Sequence, residues 1–463
     1  MRLWLKIAMV GAMTLAILIP LLSIRGVIAD RQRYRTQAVQ EIAASVGGAQ
    51  TIAGPVLVVP YSVLVERETS DKAGVAITVR KRVERKWLYF PQRLEVQGDL
   101  LPETRQRGLH RVRVYQWRGD VRAQFNAVIP PQIDFATQRI VGQPYLVYGI
   151  SDVRGLRGTP QLTINNAKAE LAQGGNGRSG LHAPLPSISP NGALQLQTRL
   201  QITLAGTEAF AVLPVGQSND LQLRSTWPHP SFRGVLPQHR ISAEGFQAQW
   251  QVNALATDAQ QRWRSGEEFT AAQPPGLARA DMPPVADLAQ ISLVDPINPY
   301  MQADRATKYG VLFVLLTFIG FFMFEIIKRI RVHPIQYALV GLAIAIFFLL
   351  LVSLSEHIAF GLAYALAMLA CIGLIGFYLS AVLGSRVRGA GFAAMLATLY
   401  GALYGLLVME DNALAVGSGL LFAILAGIMI ATRKLDWYAL SGEMRSGQTA
   451  AAFAPDRDDA VAS

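Results

Sequence analysis

Apolar residues gather in two places along the chain. One run covers residues 7–24; the next long one begins at Tyr309 and continues, broken only by short polar knots, to Thr432. A helix that crosses the hydrocarbon core needs about 20 mostly apolar residues. Cutting the second run at its knots gives five such spans, 309–327, 335–354, 358–383, 389–409 and 413–432, so the pattern predicts six transmembrane helices in all. Between the two runs the period changes to two. Residues 75–85, 109–121 and 194–204 alternate apolar with polar, and the shorter runs 221–225 and 246–252 follow. Within 109–121, Arg111, Arg113, Tyr115 and Trp117 share one face, and Val112 and Val114 the other. Short alternating strands separated by turn residues, as at Gly174, Gly175, Asn176 and Gly177, predict an all-β or mainly β domain with a sandwich-like antiparallel sheet. Modest helices are expected at 37–45 and 165–172.

Charge sets the direction of the spans, because short loops rich in Lys and Arg stay in the cytoplasm. Arg2 and Lys6 precede the first span. Lys328, Arg329 and Arg331 follow the second, Arg386 and Arg388 the fourth, and Arg433 and Lys434 the sixth. The two short loops in between, 355–357 and 410–412, carry Glu356, His357, Glu410 and Asp411 and neither Lys nor Arg. The alternation puts both termini in the cytoplasm and the long β segment outside. The expected organisation is a cytoplasmic N-terminus and first helix (1–29), an outer β-rich domain (30–264), a Pro-rich connector (265–306), a five-helix bundle (307–434) and a disordered cytoplasmic tail (435–463). The first run is open to a second reading as a cleaved signal peptide, with Val27 and Ala29 at cleavage spacing. Its 18 apolar residues exceed the usual 7–15 and Arg25 falls inside the cleavage region, which favours an uncleaved anchor.

Composition narrows the chemistry. At 51% hydrophobic and 16% charged, the chain carries fewer charges than the ~25% of a soluble domain, against a disordered chain, a coiled coil or a wholly soluble enzyme. A single cysteine, Cys371, excludes a disulfide framework, a CxxC pair and a multi-cysteine metal site. No phosphate-binding loop, HExxH or GxSxG pattern is present, and the six histidines lie far apart. Neither an ordinary enzyme, a cofactor nor a metal is expected. Nucleic acid is excluded as a partner because the basic domain lies outside the cytoplasm.

Six segments in order resemble the CreD family of bacterial inner-membrane proteins: Trp227-Pro228-His229-Pro230-Ser231-Phe232, Ser242-Ala243-Glu244-Gly245-Phe246, Asp304-Arg305-Ala306-Thr307-Lys308-Tyr309, His333-Pro334-Ile335-Gln336-Tyr337, Leu354-Ser355-Glu356-His357 and Asp436-Trp437-Tyr438-Ala439-Leu440. The resemblance covers essentially the whole chain. It implies a multi-pass protein of the bacterial inner membrane with a periplasmic domain. It also implies a role in cell-envelope integrity, expression under a two-component system, and effects on tolerance to colicins or β-lactams. It implies no reaction and no ligand.

Several residues are candidates for function. Residues 30–306 hold 30 Lys and Arg against 23 Asp and Glu, a net of +7, concentrated at Arg80, Lys81 and Arg82 and at Arg111 and Arg113. A strand face alternating Arg with aromatics offers charge and a flat apolar surface to an anionic envelope component; the plainer reading is that the excess aids solubility. Trp227, His229 and Phe232 form either a partner-binding loop or a stiff corner whose rings plug the sheet core, with packing favoured. Glu325 is the one acidic residue well inside a span, read either as a functional carboxylate or as one that snorkels outward or pairs with Lys328 or Arg329. At the outer interface, Glu356, His357, Glu410 and Asp411 are expected to clamp the basic stubs at Arg25, Arg31, Arg33, Arg305 and Lys308; the alternative is that each charge meets headgroups or water. The chain therefore reads as a non-enzymatic envelope-integrity protein whose partners are inner-membrane lipids and an anionic envelope component or a periplasmic protein. A transporter or lipid-handling protein and a membrane-bound enzyme are the alternatives. The oligomeric state is not set by the sequence.

Overall fold

The computed structural model describes residues 3–70, 76–108, 110–131, 139–175, 177, 179–187, 192–267, 286–293, 299–328, 332–382, 384–408 and 413–433. The chain divides into two compact units, Tyr34–Pro296 and Met1–Arg33 with Ile297–Ser463. The tail after residue 433, including Trp437 and its neighbours, lies outside the described residues.

The unit Tyr34–Pro296 is a sandwich of two sheets. In chain order its strands are β1 (Gln50–Ser70), β2 (Ala76–Tyr89), β3 (Arg93–Arg107), β4 (His110–Val128), β5 (Ile140–Val141) and β6 (Tyr145–Ile150). Next come β7 (Leu156–Ile164), β8 (Ala167–Ala169), β9 (Ala172–Gln173), β10 (Gly180–Pro184), β11 (Ala193–Thr207) and β12 (Ala209–Leu213). The last are β13 (Ser218–Ser225), β14 (Ser231–Gly234), β15 (Gln238–Ser242), β16 (Gly245–Asn253) and β17 (Ala289–Ser292). The first sheet runs β14-β17-β12-β1-β6-β10-β9, with β2 and β5 also on β1; the second runs β15-β16-β13-β3-β4-β11-β7-β8. Both sheets are mixed rather than strictly antiparallel, because β1 runs parallel to β12 and β3 to β13. Each parallel pair joins segments more than 100 residues apart, which the period of two does not register.

Two local expectations change. Residues 165–172 form a hairpin in place of a helix: Asn165 and Asn166 adopt φ 49° and 66°, the tight-turn geometry that Asn tolerates, and β8 folds back on β7. The segment expected as an irregular connector contributes β17, four buried residues between β12 and β14. Residues 37–45 are helical as expected, but they continue the first apolar run in one helix, α1 (Leu3–Val46). At 1.5 Å per residue its 44 residues extend about 66 Å, twice the ~30 Å of a hydrocarbon core.

Leu94, Val96 and Leu100 on β3 and Trp117 and Val121 on β4 face Ile52, Val56, Phe210 and Val212 of the other sheet, all at most 2% exposed. Trp117 packs on Phe210 at 4.7 Å between ring centres. Its indole fills the space left by the cross-strand pair Gly98 and Gly119, where any Cβ would collide with the ring. One short helix, α2 (Ala259–Ser265), puts the buried Trp263 against Gly149 of β6.

A single residue, Glu208, connects the sheets by separating β11 in the second from β12 in the first. It adopts φ 61°, unusual for a residue with a side chain, and is 3% exposed. Its amide donates to Arg113 O at 3.0 Å, its carbonyl accepts from Leu293 N at 2.8 Å, and its carboxylate pairs with Arg35 of α1 at 3.1 Å. Near this corner the end of α1 covers the second sheet: Ile42 and Val46 pack on Val112, Val114 and Ala205. Arg154 and Arg157 donate to the last carbonyls of the helix, Ala44 O and Val46 O, where cations are favoured.

The other unit holds the first part of α1 with α3 (Pro299–Lys328), α4 (Pro334–Ser355), α5 (Phe360–Val382), α6 (Arg386–Val408) and α7 (Ala413–Thr432). Among the described residues five helices are long and apolar enough to cross a membrane, not the six expected. The sixth, α7, is helical, but its described apolar stretch Gly417–Gly427 falls short of a span. Aromatic rings fill the interior: Phe318, Phe321, Tyr337, Phe347, Phe348 and Tyr400 are fully buried. Tyr364 donates to Tyr400 O at 2.7 Å, so its hydroxyl is satisfied where no water competes.

Arg35 donates to a Glu208 side chain that is 5% exposed, and losing a charged donor to a buried carboxylate costs about 3 kcal/mol. Arg35→Ala is therefore expected to lower the thermal midpoint of the full-length protein in detergent by roughly 6–12 °C. Arg33→Ala, at an 81% exposed side chain, should shift it by about 1 °C or less. Equal shifts in scanning fluorimetry would remove Glu208 from its structural role.

Candidate functional site

The basic candidates fall into two environments. Arg80, Lys81 and Arg82 lie on β2 opposite the distal half of β1, which from Val63 to Ser70 pairs with β2 among the described residues. Arg80 pairs with Glu66 at 2.8 Å, Arg82 donates to Ser62 Oγ at 3.0 Å, and Lys81 is exposed. On β4, Tyr115 and Trp117 are 1% and 0% exposed and belong to the core between the sheets. The aromatic part of that strand face is thus not offered to a ligand. Arg113 is half-buried over the Trp227 ring at 4.0 Å and donates to Thr104, while Arg111 remains exposed. Both faces of β4 are covered at this end, one by the opposite sheet and one by α1, so alternation alone cannot identify a free face.

The Trp227 to Phe232 segment is a packed corner. Trp227 is 9% exposed, and its indole N–H donates to His229 O at 2.8 Å, closing the turn on itself. Phe232 lies in β14 against Phe246 and Trp250, at 5.8 and 6.1 Å between ring centres. The His229 side chain is exposed. The adjoining motif at Ser242 makes the β15–β16 turn, where Gly245 has φ 138° and a Cβ would strike Ser225 O.

Inside the helical unit, Glu325 turns inward instead of snorkelling. It is 5% exposed and accepts from Tyr337 Oη at 3.0 Å and from Val332 N at 3.2 Å. Its carboxylate thus ties the end of α3 to the start of α4, which His333 and Gln336 cap reciprocally with Pro334 in the first turn. The side chains of Lys328 and Arg329 lie outside the described residues.

Among the described residues, the expected outer clamp includes the contact between Glu356 and Arg31. Glu356, with a 7% exposed side chain, meets Arg31 at 3.2 Å and accepts from Tyr300 Oη at 3.3 Å. Arg25 reaches Thr307 O at 3.5 Å. Lys308 pairs instead with Asp304 on its own helix at 2.8 Å, because a partner one turn away is always within reach. Arg305 is half-buried and His357 exposed, while Glu410 and Asp411 lie outside the described residues. Among the described residues no group of three or more His, Cys, Asp or Glu side chains converges as a metal site.

The chain matches the family described as "Inner membrane protein CreD" over residues 2–438. It is 33% identical to the inner membrane protein CreD of Escherichia coli strain K12 over 443 residues, 95% of this chain and 94% of that protein. Among solved structures, an M1 zinc metallopeptidase from Deinococcus radiodurans aligns at 9% identity and TM-score 0.17, and a substrate-bound mutant of it at 11% and 0.19. Each alignment covers 35% of this chain and 38% of the peptidase. Scores that low carry no inference about fold or activity.

If the Trp227 corner serves packing, Trp227→Ala should cost about 3 kcal/mol or more and cut the amount of folded protein in membranes, while His229→Ala leaves it unchanged. A Trp227→Ala protein that stays abundant and equally heat-stable, yet loses its activity in cells, would show recognition instead.

Proposed function

The chain belongs to the CreD family of inner-membrane proteins, and on that premise we propose that it is a non-enzymatic factor supporting cell-envelope integrity, with its sandwich in the periplasm. The observation that carries the reading is the division of labour between the units. Among the described residues the buried side chains of the helical unit are mostly aromatic and aliphatic; the carboxylate of Glu325 ties two helix ends together and that of Glu356 meets Arg31 and Tyr300. That supports an anchor rather than a pathway for a substrate, since transport routes need ionisable or broken-helix sites near mid-membrane. The sandwich carries the polar surface and the net positive charge of the segment 30–306, suited to anionic components of the envelope. Lys and Arg at the short loops after spans two, four and six support the orientation, with both termini in the cytoplasm.

Sidedness is directly testable because Cys371 is the only cysteine and is buried. In a Cys371→Ser background, a membrane-impermeant maleimide should label Lys168→Cys in intact cells and Arg386→Cys only after lysis. The same strains, lacking any other copy of the gene, should regain normal resistance to detergent and to cell-wall antibiotics. The reverse labelling pattern, or a null strain with an unaltered envelope, would overturn the proposal.

A further inference from the structure

The open face of the second sheet has an order that solvation alone does not require. Alternation turns Leu94, Val96 and Leu100 inward and leaves Gln97 and Asp99 outward on β3, and the other strands follow suit. Pairing then sets Gln249, Gln222, Gln97, Asp120, Gln201 and Gln161 opposite one another across six strands. Two residues along each strand, a second row reads Gln247, Arg224, Asp99, Arg118, Thr203 and Arg157. The edge strand β15 lengthens the rows with Gln238 and Arg240. Seven strands at ~4.8 Å spacing make the rows about 29 Å long.

The rows border two open depressions, of about 380 Å³ over Arg224, Arg240 and Phe246 and about 500 Å³ over Asp120, Gln201 and Arg157. Both are lined by Asp99, Arg118 and Arg224, so they join into one trough. Gln97, Gln161, Gln201 and Gln238 are exposed and make no side-chain hydrogen bond among the described residues, and the same holds for Arg118 and Arg240. Asp120, by contrast, is occupied: Arg199 and Arg122 donate to it. Burial pushes its carboxyl up, but those hydrogen bonds and charges outweigh burial and hold it below the usual carboxylate range. It therefore stays ionised and fixes its arginines. The two rows hold four arginines against two aspartates, a net of +2.

A primary amide both donates and accepts, as a sugar hydroxyl or acetamido group does, and a guanidinium matches a carboxylate. An extended peptide would seek a sheet edge, where backbone groups are open, rather than a face. A bilayer would need apolar side chains to enter it, and these two rows present amides and charges instead. We propose that the trough binds an extended glycan bearing carboxylates, the chemistry of a peptidoglycan strand. This rests on the reading of the sandwich as periplasmic.

The test uses full-length protein in detergent, cosedimented with purified peptidoglycan sacculi. Wild type should pellet at low salt and release at high salt. Gln97→Ala with Gln161→Ala and Gln201→Ala should weaken binding about tenfold or more, given three lost hydrogen-bonding groups. The isosteric pair Gln97→Glu and Gln201→Glu keeps the shape and should weaken it as much. Arg118→Gln with Arg240→Gln should flatten the salt dependence, whereas Arg80→Gln, Lys81→Gln and Arg82→Gln on the remote hairpin should change nothing. Wild type that ignores sacculi, trough variants that bind normally, or binding abolished by the hairpin changes would each overturn the trough. Such a result alongside normal periplasmic labelling and envelope rescue would leave the integrity reading standing.

Discussion

At Glu208 the chain leaves one sheet and enters the other in a single residue, and a residue with a side chain holds φ 61° there. A left-handed conformation of this kind costs on the order of 1 kcal/mol, so surrounding contacts must over-determine it. They do so in three directions. The backbone of Glu208 bonds to Arg113 of β4 and to Leu293 beside β17, and its carboxylate meets Arg35 of α1. Beside it Thr207 donates through its amide to Gly48 O and through its hydroxyl to Gly47 O, at 3.1 and 2.7 Å, just past the end of the helix. The parallel pairing of β12 with β1, the tilted contact of Phe210 with Trp117 and the seat of the helix end all follow from where this corner directs the chain.

In the helical unit the same principle governs polar atoms. Thr307 and Thr317 bond back to carbonyls one turn earlier, Tyr337 donates to Glu325, and Cys371 lies 3.1 Å from Tyr400 Oη. Unsatisfied groups are expensive in hydrocarbon, so helix ends and hydroxyls are closed locally. Several segments that mark the family acquire plain structural meanings from this. The His333 to Tyr337 segment caps α4 and anchors Glu325, and Glu356 in the Leu354 to His357 segment receives Arg31 and Tyr300.

Half-buried strands such as β4, β11, β13 and β16 were legible in the sequence because burial on one face writes a period of two, whereas β3 went unread. Four fully buried residues write no period, which hid β17 in the connector. The parallel pairs were hidden because nothing local records a partner 100 residues away. The tail of α1 was legible as a helix, but not its continuity with the apolar run, because polar residues from Arg25 onward resemble the end of a span. The candidate residues divide in the same way. Arg113, Tyr115 and Trp117 were placed on the right face, yet which side of β4 is covered depends on α1 and the opposite sheet. Each glutamine of the trough reads as an ordinary outward polar position; only the register across seven strands puts them in a line.

The C-terminal end of α1 is an integral part of the sandwich, held through Arg35, Ile42 and Val46. Amide hydrogen exchange of the full-length protein in detergent measures this most directly. Residues 35–46 should exchange as slowly as the core strands β4 and β11, and Arg35→Ala should speed their exchange at least as much as that of the strands. Exchange of 35–46 at the rate of a frayed helix end, with the strands still protected, would contradict the account.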